Sequence, residues 1–201
     1  REAEQLLHIG EPLLAYNAIE HALAIAPSNV RLRQLKGLAL ARSGALLRAN
    51  QELRALREEG LTDGETLGLL ARTHKDLGLA ATDAGNRSRH LAAAFDIYFS
   101  GYTESVRSES LADGYYTGIN AATMALLNGD TATARKLATA VEILCKQTLG
   151  DSNGDSTDDY WPRATLAEAA LILGDLNAAR DRYAAAASLI GDRYGDLGST
   201  R

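Results

Sequence analysis

The sequence predicts an all-α fold, an α–α superhelix of about five helical hairpins, and three observations predict it. Two stretches near the start repeat one pattern at a separation of 34 residues, the length of a helix–turn–helix unit that stacks on copies of itself. Glycine and proline fall at the joints of that pattern, where the first helix of a pair must stop and the second must end. The composition is alanine-rich and 46% hydrophobic with three prolines, and it lacks the Val/Ile/Thr alternation of strands. At 201 residues the chain is long enough to bury a continuous core.

In chain order, Gly10-Glu11-Pro12 leads to Ala15, Ile19, Ala22 and Pro27, and Gly44-Ala45-Leu46 leads to Ala49, Leu53 and Leu56. Two antiparallel helices approach closely only where a small residue faces the neighbour, with a larger one a turn later. Ala15 with Ile19, and Ala49 with Leu53, have that spacing. The middle pair is stretched: Leu67 to Leu77 reads as its first helix and Ala94 to Tyr102 as its second. Between them Gly78 to Arg89 reads as an overlong loop in which Asn86 or Ser88 caps the next helix. Gly129-Asp130 then precedes Ala134 and Ala138, and Gly174-Asp175 precedes Ala179, Tyr183 and Ala186. These last two copies are 45 residues apart, and the extra length falls in the polar run Gly150 to Asp159, which reads as a surface loop. Five helical pairs result, the first cut short. Arg1 already lies inside a helical pattern and Tyr194 to Arg201 looks like the start of something further, so the expectation is one repeat domain over residues 1–201 taken from a longer protein.

A net charge of −5 argues against a general nucleic-acid binder, which needs a basic face for phosphates. No apolar run approaches membrane-spanning length and no export leader is visible, so neither a membrane nor secretion is expected. The single cysteine, Cys145, has apolar helical surroundings and reads as a buried thiol in a cytoplasmic protein.

Chemistry is sparse. His8, His21, His74 and His90 show no metal-ligand spacing, and there is no nucleophile elbow, phosphate loop or dinucleotide fingerprint. The expectation is no enzyme, no metal and no cofactor. Asp151, Asn153 and Asp155 imitate the opening of a calcium loop, but its glycine is misplaced and Pro162 stands where a closing glutamate belongs. A solvated insertion whose last aspartate, Asp158 or Asp159, caps a helix is the expected structure, with Pro162 tolerated in the first turn. Trp161 reads as a packed hinge between repeats, with an exposed anchor for a partner as the alternative. Gly118 and Asn120 both cost stability inside a helix. Gly118 would admit a close helix neighbour, and Asn120 would bond free backbone groups or, alternatively, face a ligand.

The succession Leu70-Ala71-Arg72-Thr73-His74-Lys75-Asp76-Leu77, Ala94-Phe95-Asp96-Ile97-Tyr98 with Gly101, Tyr116-Thr117-Gly118-Ile119-Asn120, and Asp159-Tyr160-Trp161 before Ala164-Thr165 resembles the TRAFs-binding domain of apoptosis signal-regulating MAP kinase kinase kinases, a tetratricopeptide-type region with similar bacterial versions. The resemblance covers Gly64 to Gly191, while residues 1–63 resemble ordinary tetratricopeptide (TPR) repeats. It implies a TPR-like solenoid that regulates an attached or partner signalling effector, with Gly118, Asn120, Asp159 and Tyr160 as structural motif residues. The alanine-rich composition suggests a bacterial version, so binding to TRAF proteins is not carried over.

First helices of such repeats line a groove. The repeat frame assigns to it Arg31, Gln34, Leu38 and Arg42, then Arg72 and Lys75, then Tyr116 and Thr123, then Trp161 and Glu168, basic at one end and aromatic at the other. A protein or peptide partner, acidic at the basic end, would suit it. A terminal-carboxylate clamp is not reproduced, since Leu35 and Gly68 occupy positions where polar groups would be wanted. Exposed repeat ends favour self-association. The alternative is a small-molecule sensor, for a nucleotide or metabolite, with a pocket near Tyr116, Asn120 and Trp161.

Overall fold

Helix signals and joint residues divide the chain much as its period suggests. The computed structural model describes residues 1–150 and 159–189. Over them run ten helices: α1 Glu2–His8, α2 Pro12–Ile25, α3 Val30–Arg42, α4 Leu46–Glu58, α5 Gly64–Ala80, α6 Ala84–Arg107, α7 Leu111–Leu127, α8 Thr131–Gly150, α9 Tyr160–Leu173 and α10 Leu176–Ala187. No strand occurs among the described residues. Taken in pairs, these are the five hairpins that the sequence predicts.

Five of the joints follow one rule. Gly10, Gly44, Gly60, Gly129 and Gly174 all have φ between +86° and +92°, a left-handed conformation that closes a helix and that glycine adopts without a Cβ clash. In each, the residue after the glycine donates back five residues, as Glu11 N does to the Leu6 carbonyl at 2.8 Å and Asp175 N to the Ala170 carbonyl at 2.9 Å. After Gly129 and Gly174 an aspartate immediately caps the next helix: Asp130 accepts from Thr133 N at 3.0 Å and Asp175 from Ala178 N at 2.9 Å. The α6–α7 joint makes the same back-bond, Ser110 N to the Ser105 carbonyl at 2.9 Å. Its left-handed residue, however, is Glu109, at φ 56°.

The expected long loop between Gly78 and Arg89 is not there. α5 continues to Ala80 and α6 begins at Ala84, because Gly78 lets α5 lie directly on α6. A Cβ on Gly78 would come within 2.9 Å of the Leu91 side chain. Asp83, rather than Asn86 or Ser88, supplies the capping acceptor, taking the Asn86 amide at 2.8 Å. The polar run from 151 to 158, with the calcium-like aspartates and Asp158, lies outside the described residues, as does the tail from 190 onward.

The described residues fall into two compact units, up to residue 94 and from residue 95, with the boundary inside α6. In the first, Ala15, Ile19, Ala39, Ala49, Leu53, Leu56 and Leu70 are fully buried. Deeply buried in the second are Tyr98, Ala121, Ala122, Met124, Ala134, Ala138, Val141, Cys145 and Tyr160. The small-then-large spacing of the repeat therefore lands in the core, as helix packing requires.

Candidate functional site

The first unit places most of the expected cations, but not as free charges. Arg31 on α3 donates to Glu4 of α1 at 3.0 Å and to Glu65 of α5 at 2.9 Å, so one guanidinium ties the first helices of three successive hairpins. Burial opposes its charge, yet the two carboxylates hold its pKa above the usual arginine value. Arg42 donates to the Leu7 carbonyl at 2.6 Å, and Arg72 lies 3.9 Å from Asp76 one turn on. Lys75 is half-buried on α5.

Gln34, expected in the groove, is only 5% exposed and faces inward. Its amide donates to Asp63 Oδ1 at 3.1 Å and Thr66 Oγ1 at 2.8 Å, binding α3 to the capped start of α5. The reason is local: Asp63 caps α5 through Thr66 N, and the capping pair needs a third polar partner where α3 covers it.

In the second unit, α7 carries Tyr116, Asn120 and Thr123 at one-turn intervals, on one helix face. Tyr116 is 40% exposed and sets its ring edge-on to buried Tyr98, centroids 6.2 Å apart. Asn120 donates its amide to the Tyr116 carbonyl at 2.9 Å, within its own helix rather than to an adjacent turn of a neighbour. Thr123 donates to Glu168 of α9 at 2.6 Å, fixing α7 against α9. Trp161 packs, half-buried, on a cluster of Tyr160, Ala164 and Ala186, with its ring edge-on to Tyr160 at 5.1 Å. Seven residues separate Tyr116 from Thr123 and Trp161 from Glu168, so the two aromatics stand about two turns before the bond that aligns their helices.

Gly118 does what its cost in a helix implies. A Cβ there would meet Val141 Cγ2 at 2.6 Å and Tyr102 Cδ2 at 2.8 Å, so the glycine admits both α8 and α6. Tyr160 is buried. Asp159 occupies the N-cap position of α9 without making a side-chain capping bond; its buried carboxylate lies 3.9 Å from Arg163 instead. Pro162 sits in the first turn of α9 and is fully buried. Cys145 is a buried thiol whose pKa burial pushes up to about 12, which removes its nucleophilicity.

The cavity found in this unit is not at Tyr116, Asn120 and Trp161. A space of about 760 Å³ opens near the other end of α7, walled by Ser105, Glu109, Ser110, Gly114, Leu144 and Gln147 among others. A smaller one, of about 370 Å³, lies in the first unit between α4 and α5, lined by Arg54, Arg57, Glu58, Leu70 and His74. Sequence reasoning missed a feature beside it. His74 and His90 are 16 residues apart, yet their Nδ1 atoms come within 3.0 Å. The signal was available: the two stand equally far from position 82, the middle of the α5–α6 turn, so closing that hairpin brings them together. Among the described residues no group of three or more His, Cys, Asp or Glu is arranged to hold a metal, and no helix is long and apolar enough to cross a membrane.

Residues 13–125 match the family Tetratricopeptide Repeats-Sensor, TPR-S. The chain belongs to the TPR-S family. Solved TPR structures agree with this in fold. A thermophilic TPR protein of Thermus thermophilus aligns over 100% of this chain and 95% of its own, at TM-score 0.69 and 18% identity. A Podosopora anserina protein of nearly identical TPR-like repeats, a putative kinesin light chain by its description, aligns over 93% of this chain and 90% of its own, at TM-score 0.55 and 16% identity. A single-substitution variant of that protein gives TM-score 0.57 at 17% identity. No curated protein matches in sequence. TPR folds generally serve as scaffolds for protein–protein interaction.

Proposed function

We propose that this TPR-S chain is a protein- or peptide-binding scaffold that regulates an attached or partner signalling effector, and that the α7 and α9 faces carry the recognition. The observation behind the reading is the Tyr116–Asn120–Thr123 face of α7, tied to α9 through Glu168 with Trp161 two turns away. A half-exposed aromatic backed by a buried one is a rigid anchor that loses little entropy on binding, and Asn120 keeps its carbonyl oxygen for a peptide amide. The partner is a peptide segment with an apolar or aromatic anchor. Acidic character in it is a weaker preference, because Arg31 already faces two glutamates and Arg72 an aspartate.

A peptide array probed with the intact chain, followed by titration of the best binder, tests this. Tyr116→Ala should weaken binding at least about tenfold, while Leu13→Ser on the exposed surface of α2 should leave it unchanged. Equal affinity for the parent and Tyr116→Ala proteins, both folded by circular dichroism, would remove α7 from the site.

The cavity of about 760 Å³ favours a second reading, the sensing of a small molecule, because that volume is in the usual range for ligand sites. Thermal-shift screening against nucleotides and metabolites separates the two, since a ligand bound only by the folded chain raises Tm by mass action.

A further inference from the structure

We propose that the cleft between α4 and α5, walled by Arg54, Arg57 and His74, is a binding site for a phosphomonoester group. α4 presents Arg54 and Arg57 one turn apart on one face, and both line the cleft with His74 of α5, above a floor made by the buried Leu70. Glu58 also lines it, but its carboxylate is engaged by Arg54 at 3.2 Å. Arg57 makes no ion pair with any described residue. The lining is therefore cationic by one charge.

The histidine pair sharpens the preference. Because the Nδ1 atoms of His74 and His90 meet at 3.0 Å, one donates and the other accepts, and Nε2 is the ring atom left for a ligand on each. Burial lowers the His74 pKa to about 4, helped by His90, Arg54 and Arg57. The field at His74 is thus positive despite Glu58. Arginines that would repel a metal ion, and a ring nitrogen each that the pair has already consumed, exclude a cation; a dianion with several oxygens matches two guanidinium forks and an imidazole. At about 370 Å³ the space exceeds bare phosphate and accommodates an ester.

With its pKa at about 4, His74 is neutral at about pH 8 and about pH 6 alike, whereas a phosphomonoester with a second pKa of about 6 gives up part of its dianionic charge at the lower pH, so affinity should fall with acidity. The groups facing His74 are Arg54, Arg57 and Glu58 from α4 and His90 with its neighbour Arg89 from α6. The test is titration of the intact chain with inorganic phosphate, AMP and a phosphoserine peptide at about pH 8 and about pH 6. Saturable binding is expected, tighter at the higher pH, where the ester carries both charges. Arg57→Gln should weaken it at least about tenfold and Glu58→Gln should tighten it, opposite signs that loss of folding cannot produce. Tighter binding of AMP or of the phosphopeptide tells a free metabolite from a modified side chain. No saturation, equal affinity in the Arg57→Gln protein, or binding of inorganic phosphate that neither ester improves would each overturn the proposal, the last as an adventitious ion only.

Discussion

The two units build the same hairpin from the same two devices, polar cross-links and glycine crossings, in a different balance. In residues 1–94 the helices are stitched by polar side chains: Arg31 to Glu4 and Glu65, Arg33 to Glu59 at 2.5 and 2.7 Å, Lys36 to Glu20 and Glu52, Gln34 to Asp63 and Thr66, and Asn50 to Thr73 at 2.9 Å. From residue 95 onward polar cross-links persist, as from Thr123 to Glu168 and from Arg182 to Glu142, and glycine crossings, which residues 1–94 have at Gly37 and Gly78, number three. Gly101 faces Thr117, Gly114 faces Leu144 and Ser105, and Gly118 faces Val141 and Tyr102, each so close that an added Cβ would crowd its neighbour. Charge pairs tolerate small displacements and respond to salt and pH. Interlocked small residues ignore both and fail on added volume. The comparison teaches that a fixed repeat length constrains the joints and the small-residue crossings, and leaves open how neighbouring hairpins adhere.

Four changes would break or sharpen that contrast. The largest is Gly118→Leu, which should cost about 3 kcal/mol or more through overpacking against Val141 and Tyr102; urea unfolding measures it, and a loss below about 1 kcal/mol would mean the second unit is not interlocked as described. Acid comes next. His74 has a folded pKa of about 4 against 6.5 when unfolded, so the unfolded chain binds the extra proton. Stability is then complete above pH 6.5 and drains as pH falls toward 4, by at most about 2 kcal/mol once solvent screening of this half-buried ring is allowed for. Hydrogen exchange should show that loss in α5 and the start of α6 while α7–α9 stay protected; simultaneous loss in both units would erase the distinction. Third, Gln34→Ala should cost about 1 kcal/mol by removing the bonds of a buried amide to the buried Thr66 and to Asp63, read from the shift in Tm. The smallest effect has the opposite sign. Glu109→Gly relieves a left-handed non-glycine joint and should add about 1 kcal/mol, visible as a raised denaturation midpoint.

What was legible in the sequence is the part that depends on local chemistry. Gly10, Gly44, Gly129 and Gly174 announce joints because a left-handed residue is needed there, and Ala15, Ile19, Ala49 and Leu53 announce a core because spacing and size set helix approach. Gly118 is legible for the same reason: a costly residue inside a helix implies a neighbour that needs the room. The extent of α5 and α6 was not, since Gly78 and Gly85 carry ordinary loop signals and only the contact with Leu91 shows that Gly78 belongs to a crossing. Side-chain direction was the other gap. Gln34 and Arg31 sit three residues apart on α3, and which of them turns inward is decided by Asp63 and Glu65 on another hairpin. The encounter of His74 with His90 likewise depends on where the turn between their helices falls, which local propensity leaves uncertain by several residues.

Each glycine joint closes its own helix end, with the back-bond and the left-handed residue both supplied within a few residues of the break. A segment running from one such joint to the next, the second helix of one hairpin and the first of the following one, leaves no dangling backbone partner at its ends when it is removed and demands none when it is copied. This architecture is therefore suited to lengthening or shortening by whole segments, and a graft cut at Gly44 and Gly10 would carry its backbone satisfaction with it.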